Sequence, residues 1–171
     1  PESRKRLVRA AHVRCKVHIL HGGGQRRLEI FPAFIFEFEA RHRAVVSRLT
    51  RGHQTVVAHA AEPLAAGDLL TITAREDVAD GLVTEVGRPA AEEPWLDRSE
   101  IDFRRVTLSN PAYVGRELHD LRMAERFDAV VSRVRRGDVD IIASPDLVLQ
   151  SGDRLRVTAP RGRLAEIATA L

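Results

Sequence analysis

One stretch of this chain occurs twice, and that duplication limits the folds open to it more than any other feature. Ala44-Val45-Val46-Ser47-Arg48-Leu49-Thr50-Arg51-Gly52 lines up with Ala129-Val130-Val131-Ser132-Arg133-Val134-Arg135-Arg136-Gly137 at an offset of 85 residues. The match continues without a gap: Ala58 meets Ala143, Leu64 meets Leu149, Gly67-Asp68 meets Gly152-Asp153, Leu70 meets Leu155, and Thr73-Ala74 meets Thr158-Ala159. Of the 31 aligned positions, 14 are identical. Solenoid repeats run to only about 20–50 residues. The longer period therefore implies two small domains.

Each copy reads the same way. Ala44–Thr50 and Ala129–Val134 are short β-branched runs that end at an Arg-Gly turn signal, Arg51-Gly52 or Arg136-Gly137. Thr55–Ala58 and Val139–Ala143 follow at once, which predicts a β-hairpin with a short loop. A second turn falls at Gly67-Asp68 and Gly152-Asp153, where an Asp side chain can bond nearby backbone N–H groups. Leu69–Ala74 and Arg154–Ala159 then alternate as strands with one buried face, and helices close the copies near Glu76–Val86 and Arg163–Leu171.

The fronts of the copies differ. The second predicts a strand at Arg104–Leu108, a turn at Asn110-Pro111 and a helix over Arg116–Ala124 with Leu118 and Leu121 on one face. The first predicts a strand at Val13–Leu20, a turn at Gly22-Gly23-Gly24 and a helix region holding Phe31, Phe34, Phe36 and Phe38. Such a density of Phe, in a chain with six, marks part of that segment as core and part as an apolar patch facing a partner. The expected layout is a basic arm over residues 1–12, a domain over 13–87, a linker over 88–102 with Trp95 tucked against one domain, and a domain over 103–171. The fold class is α+β: two tandem small α/β domains, each a short, mainly antiparallel sheet with a hairpin and two helices.

Composition narrows the function. Hydrophobic residues make up 44% and charged residues 30%, a globular balance, and no run approaches the roughly 20 apolar residues a spanning helix needs. One cysteine, Cys15, rules out an internal disulfide framework and reads as a small buried hydrophobe. Opening on Pro1, the sequence reads as a piece of something longer. A net charge of +3 raises the question of nucleic acid, but the arginines alternate with Asp and Glu over most of the chain, unlike a phosphate-tracking stripe. The concentrated block Arg4, Lys5, Arg6, Arg9 and Arg14 fits either a basic arm or a segment leaving a membrane on its cytoplasmic side.

The second copy resembles a TrkA-C domain, the C-terminal lobe of regulator-of-K⁺-conductance modules. The resemblance rests on Asn110-Pro111, Val114-Gly115-Arg116-Glu117-Leu118, Arg126 through Arg136, and Leu149-Gln150-Ser151-Gly152-Asp153-Arg154-Leu155-Arg156-Val157. The first copy keeps the hairpin and Leu64 through Leu70 but lacks the Gly-x-x-Leu helix start. Two such domains with a short linker are similar to the central hydrophilic region of aspartate–alanine exchanger-type transporters. That resemblance implies a non-catalytic regulatory pair on the cytoplasmic face of the membrane, joined to the transmembrane part of the same transporter and often a homodimer. It senses a ligand or couples to a pore; the alternative is a dimerisation scaffold that binds nothing. Some TrkA-C domains bind cyclic di-AMP in the cleft between two copies.

Catalytic and cofactor motifs are missing. Gly22-Gly23-Gly24 has neither the Lys-Ser/Thr of a phosphate loop nor dinucleotide-site spacing. His12, His18 and His21 lack a neighbouring carboxylate or Cys at metal-ligand spacing. Ser47 and Ser132 have no elbow glycines and read as packing positions. Gly67, Asp68, Gly152, Asp153 and Gly115 read as turn residues. The candidate ligand contacts are Arg48 and Arg51 with their equivalents Arg133 and Arg136, since guanidinium groups on rigid strands suit phosphate or carboxylate. The competing reading pairs Arg136 with Asp138 on the surface.

Overall fold

The computed structural model describes residues 8–15, 33–59, 64–90 and 98–171. Its first half contains strand β1 (Val8–Cys15), helix α1 (Ala33–His42), strands β2 (Val45–Arg51), β3 (Gln54–Val57) and β4 (Leu69–Arg75), helix α2 (Glu76–Val86) and strand β5 (Gly87–Pro89). The second half contains β6 (Ile101–Thr107), α3 (Met123–Phe127), β7 (Val130–Arg136), β8 (Val139–Ile142), β9 (Arg154–Pro160) and α4 (Leu164–Ala170), with short 3-10 turns at Pro111–Tyr113, Leu118–Leu121 and Arg161–Arg163. The strands form two antiparallel sheets, ordered β3-β2-β4-β1-β5 and β6-β9-β7-β8.

Alternation builds each core. Leu70, Ile72 and Ala74 of β4 and Leu155, Val157 and Ala159 of β9 point to the helix side of their sheets and are buried. They meet Leu82, Val83 and Val86 of α2 in the first half, and Leu164 and Ile167 of α4 in the second. Burying one such side chain stabilises by about 1.5–3 kcal/mol. The hairpins turn at Gly52 (φ +61°) and Gly137 (φ +57°), a left-handed conformation that β-branched residues resist. Both β2 and β7 carry a bulge at matching places, between Val46 and Arg48 and between Val131 and Arg133. The skipped residues, Ser47 and Ser132, are buried, and their hydroxyls donate to Thr71 O (3.3 Å) and Arg156 O (3.5 Å).

Three expectations shift. The first strand lies at Val8–Cys15, so Val8–His12 belong to a sheet rather than to an arm. The rest of the expected Val13–Leu20 strand, with His18, His21, Gly22-Gly23-Gly24, Phe31 and Trp95, lies outside the described residues. At the other end, the expected linker contributes Arg88 and Pro89 to β5, and Ile101 and Asp102 to β6. The helix expected over Arg116–Ala124 is broken at Arg122, which is left-handed (φ 50°, ψ 49°). Leu118, Leu121, Met123 and Phe127 are all buried, and no single helical stripe accommodates the two-residue step from Leu121 to Met123. The break rotates the chain so that both turns face the core.

Candidate functional site

The four sequence-predicted arginines fall into two pairs with different environments. Arg51 and Arg136 end their strands beside the Gly-Asp turns and are tied there. Arg51 donates through Nε and Nη2 to Asp68 at 2.8 and 2.7 Å, and Arg136 does the same to Asp153. Each Asp also accepts a backbone N–H, from Ala65 (2.7 Å) or Gln150 (2.9 Å), which closes its own turn. Arg136 Nη2 reaches Val148 O as well, at 2.9 Å. Both carboxylates are buried. Burial works to raise the Asp153 pKa, but the Arg136 and Gln150 hydrogen bonds and the Arg136 charge outweigh it and hold the group below the usual carboxylate range. The same hydrogen bonding raises Arg136. Arg136 thus pairs with Asp153, not Asp138; the surface partner of Asp138 is Arg135, at 3.9 Å. These clamps pin strand end to turn.

Arg48 and Arg133 sit differently. The bulges re-aim them, as bulges beside sites commonly do. They leave the helix side of their sheets for the side where β2 packs against β7. Around that contact β3 lies on β6 and β9, while β8 lies on β1 and β4, so the two sheets meet through equivalent elements in both directions. Arg48 is buried in this junction. Arg133 faces Asp140 at 3.6 Å, and its buried Nε has no hydrogen-bond partner among the described residues.

Register adds two residues that the sequence reading missed. Arg133 is directly opposite Arg156, and Arg156 is directly opposite Arg105, giving a row of three arginines across β7, β9 and β6. Like charges placed directly opposite destabilise a sheet. Arg156 lies over the Phe103 ring at 3.9 Å, and Arg98 covers the same ring at 4.6 Å while reaching Asp102 at 3.7 Å. Burial first, and then the charges of Arg133, Arg105, Arg48 and Arg98, push the Arg156 pKa down to about 10. Among the described residues neither Arg105 nor Arg156 has an ion-pair partner. Arg48, Arg133 and Arg156 gather here with Asp140 facing one of them, and such a group of guanidinium side chains is suited to holding an anion.

The remaining candidates are placed as follows. Phe38 is buried in the first core and its ring lies 4.8 Å from that of His42, so it faces inward rather than toward a partner. Phe34 and Phe36 lie in α1, with side chains outside the described set. Gly67 (φ +88°), Gly152 (φ +81°) and Gly115 (φ +82°) occupy turns that need a left-handed residue. A cleft lined by His53, Thr55, Ser99, Glu100 and Ile101 opens where β3 meets β6, and elsewhere His59 of the first half pairs with Asp128 of the second. No group of three or more metal-ligating side chains occurs among the described residues, nor any helix long and apolar enough to cross a membrane.

Comparison with known proteins agrees with the second half of this architecture. Residues 103–171 match the TrkA-C domain. Over 131 residues the chain is 37% identical to an uncharacterized transporter of Geobacter sulfurreducens, covering 75% of this chain and 24% of that protein. Over 147 residues it is 37% identical to an uncharacterized transporter of Symbiobacterium thermophilum, covering 85% and 27%. The chain therefore spans about a quarter of the length of these curated relatives. A solved structure of the regulator of conductance of K⁺ (RCK) C domain of the potassium transport protein KtrA, in complex with cyclic diadenosine monophosphate, is similar over 44% of this chain and 88% of that one. The two share 18% sequence identity, with a TM-score of 0.40. The TrkA-C match begins at Phe103, two residues into β6, and so contains the whole arginine row.

Proposed function

We propose that this chain is a non-catalytic regulatory pair of TrkA-C-type domains, the first half being a diverged copy of the second, on the cytoplasmic face of a membrane transporter of the aspartate–alanine exchanger type. A small anion, phosphate- or carboxylate-bearing and with cyclic dinucleotides among the candidates, binds between the two sheets at Arg133, Arg156 and Arg48. The row of opposed arginines at Arg105, Arg156 and Arg133 carries this reading. Like charges held directly opposite one another across a sheet cost stability, and an anion would return that cost as binding energy.

Such a ligand regulates by favouring the arrangement of sheets in which the arginines converge, since it can shift an equilibrium only by its differential affinity for the two states. Arg51 and Arg136 serve the site indirectly, by holding the ends of the strands that carry Arg48 and Arg133. A homodimer of the full transporter would form through contacts beyond this junction, because β2 already packs on β7, and β3 on β6 and β9, within one chain. Isothermal titration with cyclic di-AMP, cyclic di-GMP and a panel of di- and tricarboxylates tests the proposal. It predicts heat and saturation for at least one member, and silence from every member would refute the sensor role in favour of a scaffold.

A further inference from the structure

The two sheets match strand for strand except at one edge. Order β3-β2-β4-β1 corresponds to β8-β7-β9-β6, but beyond β1 lies β5, and beyond β6 no described strand follows. Register fixes the equivalence: Val8 pairs with Arg75 and Ile101 pairs with Pro160, and Arg75 and Pro160 are themselves 85 residues apart. Cys15, Arg14 and Val13 therefore correspond to Leu108, Thr107 and Val106. The first three are the residues on which β5 pairs, through Gly87, Arg88 and Pro89. Since β5 directly follows α2, the residues directly following α4 are its counterpart in the second half.

Among the described residues no strand pairs with this edge, and backbone direction shows how long it is. Leu108 N donates inward to Asp153 O at 2.8 Å, and Arg161 N donates to Glu100 O at 2.8 Å. In an antiparallel ladder alternate residues face the same neighbour. The even-numbered residues of β6 thus face β9, and Phe103, Arg105 and Thr107 turn their N–H and C=O groups to the open edge. The Phe103 N–H is already taken, by Asp102 Oδ1 at 2.7 Å. At the other end Ser109 N and Asn110 N both donate to Leu171 O, at 2.7 and 2.6 Å, which brings the end of α4 against the end of β6. Arg105 and Thr107 remain between these two stops, and both are exposed.

We propose that, where polypeptide follows Leu171 as in relatives several times this length, it adds a short strand to the edge of β6, opposite Leu108, Thr107 and Val106, as β5 does to β1. The chain spans only 24% and 27% of the lengths of the two relatives above, so such proteins have residues to supply. An edge strand of this kind satisfies main-chain groups with little demand on side-chain identity. It ties whatever follows the module to the sheet that carries the arginine row.

Hydrogen exchange of individual amides tests this, comparing the chain ending at Leu171 with the same chain extended by its own next ten residues. A control appends Gly-Arg-Pro-Ala, the order of Gly87–Ala90, after Leu171. We expect exchange at Arg105 and Thr107 to slow by about tenfold or more in the extended chain and in the control, with Arg104 and Val106 unchanged. Four outcomes would overturn the proposal: a reading frame that stops at Leu171, protection already complete in the unextended chain, protection that depends on protein concentration (a second copy on the edge), or protection in the control alone.

Discussion

In the first half, Arg48 stands across from Thr71; in the second, its equivalent Arg133 stands across from Arg156. Everything nearby is shared: the bulge, the buried Ser, the hairpin glycine and the Arg–Asp clamp at the Gly-Asp turn. The framework is thus duplicated while the charge at its centre is not. A position that is Thr in one half and, in the other, an Arg set opposite two further arginines is the place to look for a ligand. The halves also differ at the α1 end, where the first half carries a carboxyl group, Glu39, that takes a hydrogen bond from Val46 N at 2.7 Å. The 85-residue offset puts Ala124 in its place.

The clamps give the largest expected effect. Removing one partner of a buried ion pair strands the other, so Asp153→Ala should cost about 3 kcal/mol in urea unfolding. Asp68→Ala should cost less, about 2 kcal/mol, because Arg51 is the more solvent-exposed of the two arginines (51% against 30%). Equal losses would show that the clamps are interchangeable and that the halves differ only at the arginine row.

Glu39 makes the first half respond to pH in a way the second does not. Burial, opposed by the Val46 N–H, pushes its pKa from 4.5 up to about 7. The folded state therefore holds this proton more tightly than the unfolded chain does. Its contribution is fully present below pH 4.5 and lost as the pH rises through about 7. The loss is at most roughly 3 kcal/mol, and Glu39→Gln should remove it. Exchange of first-half core amides at pH 5 and pH 8 checks this, and a slope that survives in Glu39→Gln would place the titration elsewhere.

Arg156→Thr turns the second half into a copy of the first at the position in question. In the absence of ligand it should raise stability by about 0.5–1 kcal/mol, and Thr71→Arg should lower it by a similar amount. A smaller effect is expected at the His59–Asp128 pair, where His59→Ala should cost less than about 1 kcal/mol and lose its effect in high salt.

Much of this was readable from the chain. The hairpins, the Gly-Asp turns and helix Glu76–Val86 depend on local turn chemistry and on periodicity, and the repeat states most of them twice. The strand at Val8–Cys15 was hidden because Arg9 and Arg14 made it look like a solvated arm. The break at Arg122 was hidden because Leu118 and Leu121 alone fit a helical face. Two of the four arginines chosen from sequence proved to be clamp residues, since their Asp partners lie 17 residues away and only the fold brings them close. Arg105 and Arg156 escaped notice for the same reason. Their opposition is a matter of strand register, although the alignment of Thr71 with Arg156 was a clue already present in the repeat.

The central claim is that the arginine row, not the clamps, receives the anion. Side-chain Nε–H signals of the arginines, followed by nuclear magnetic resonance while an anion that binds in calorimetry is added, test it most directly. The signals of Arg133 and Arg156 should move and saturate together, while those of Arg51 and Arg136, held by Asp68 and Asp153, stay in place. Movement of the clamp signals with the row unchanged would contradict the account.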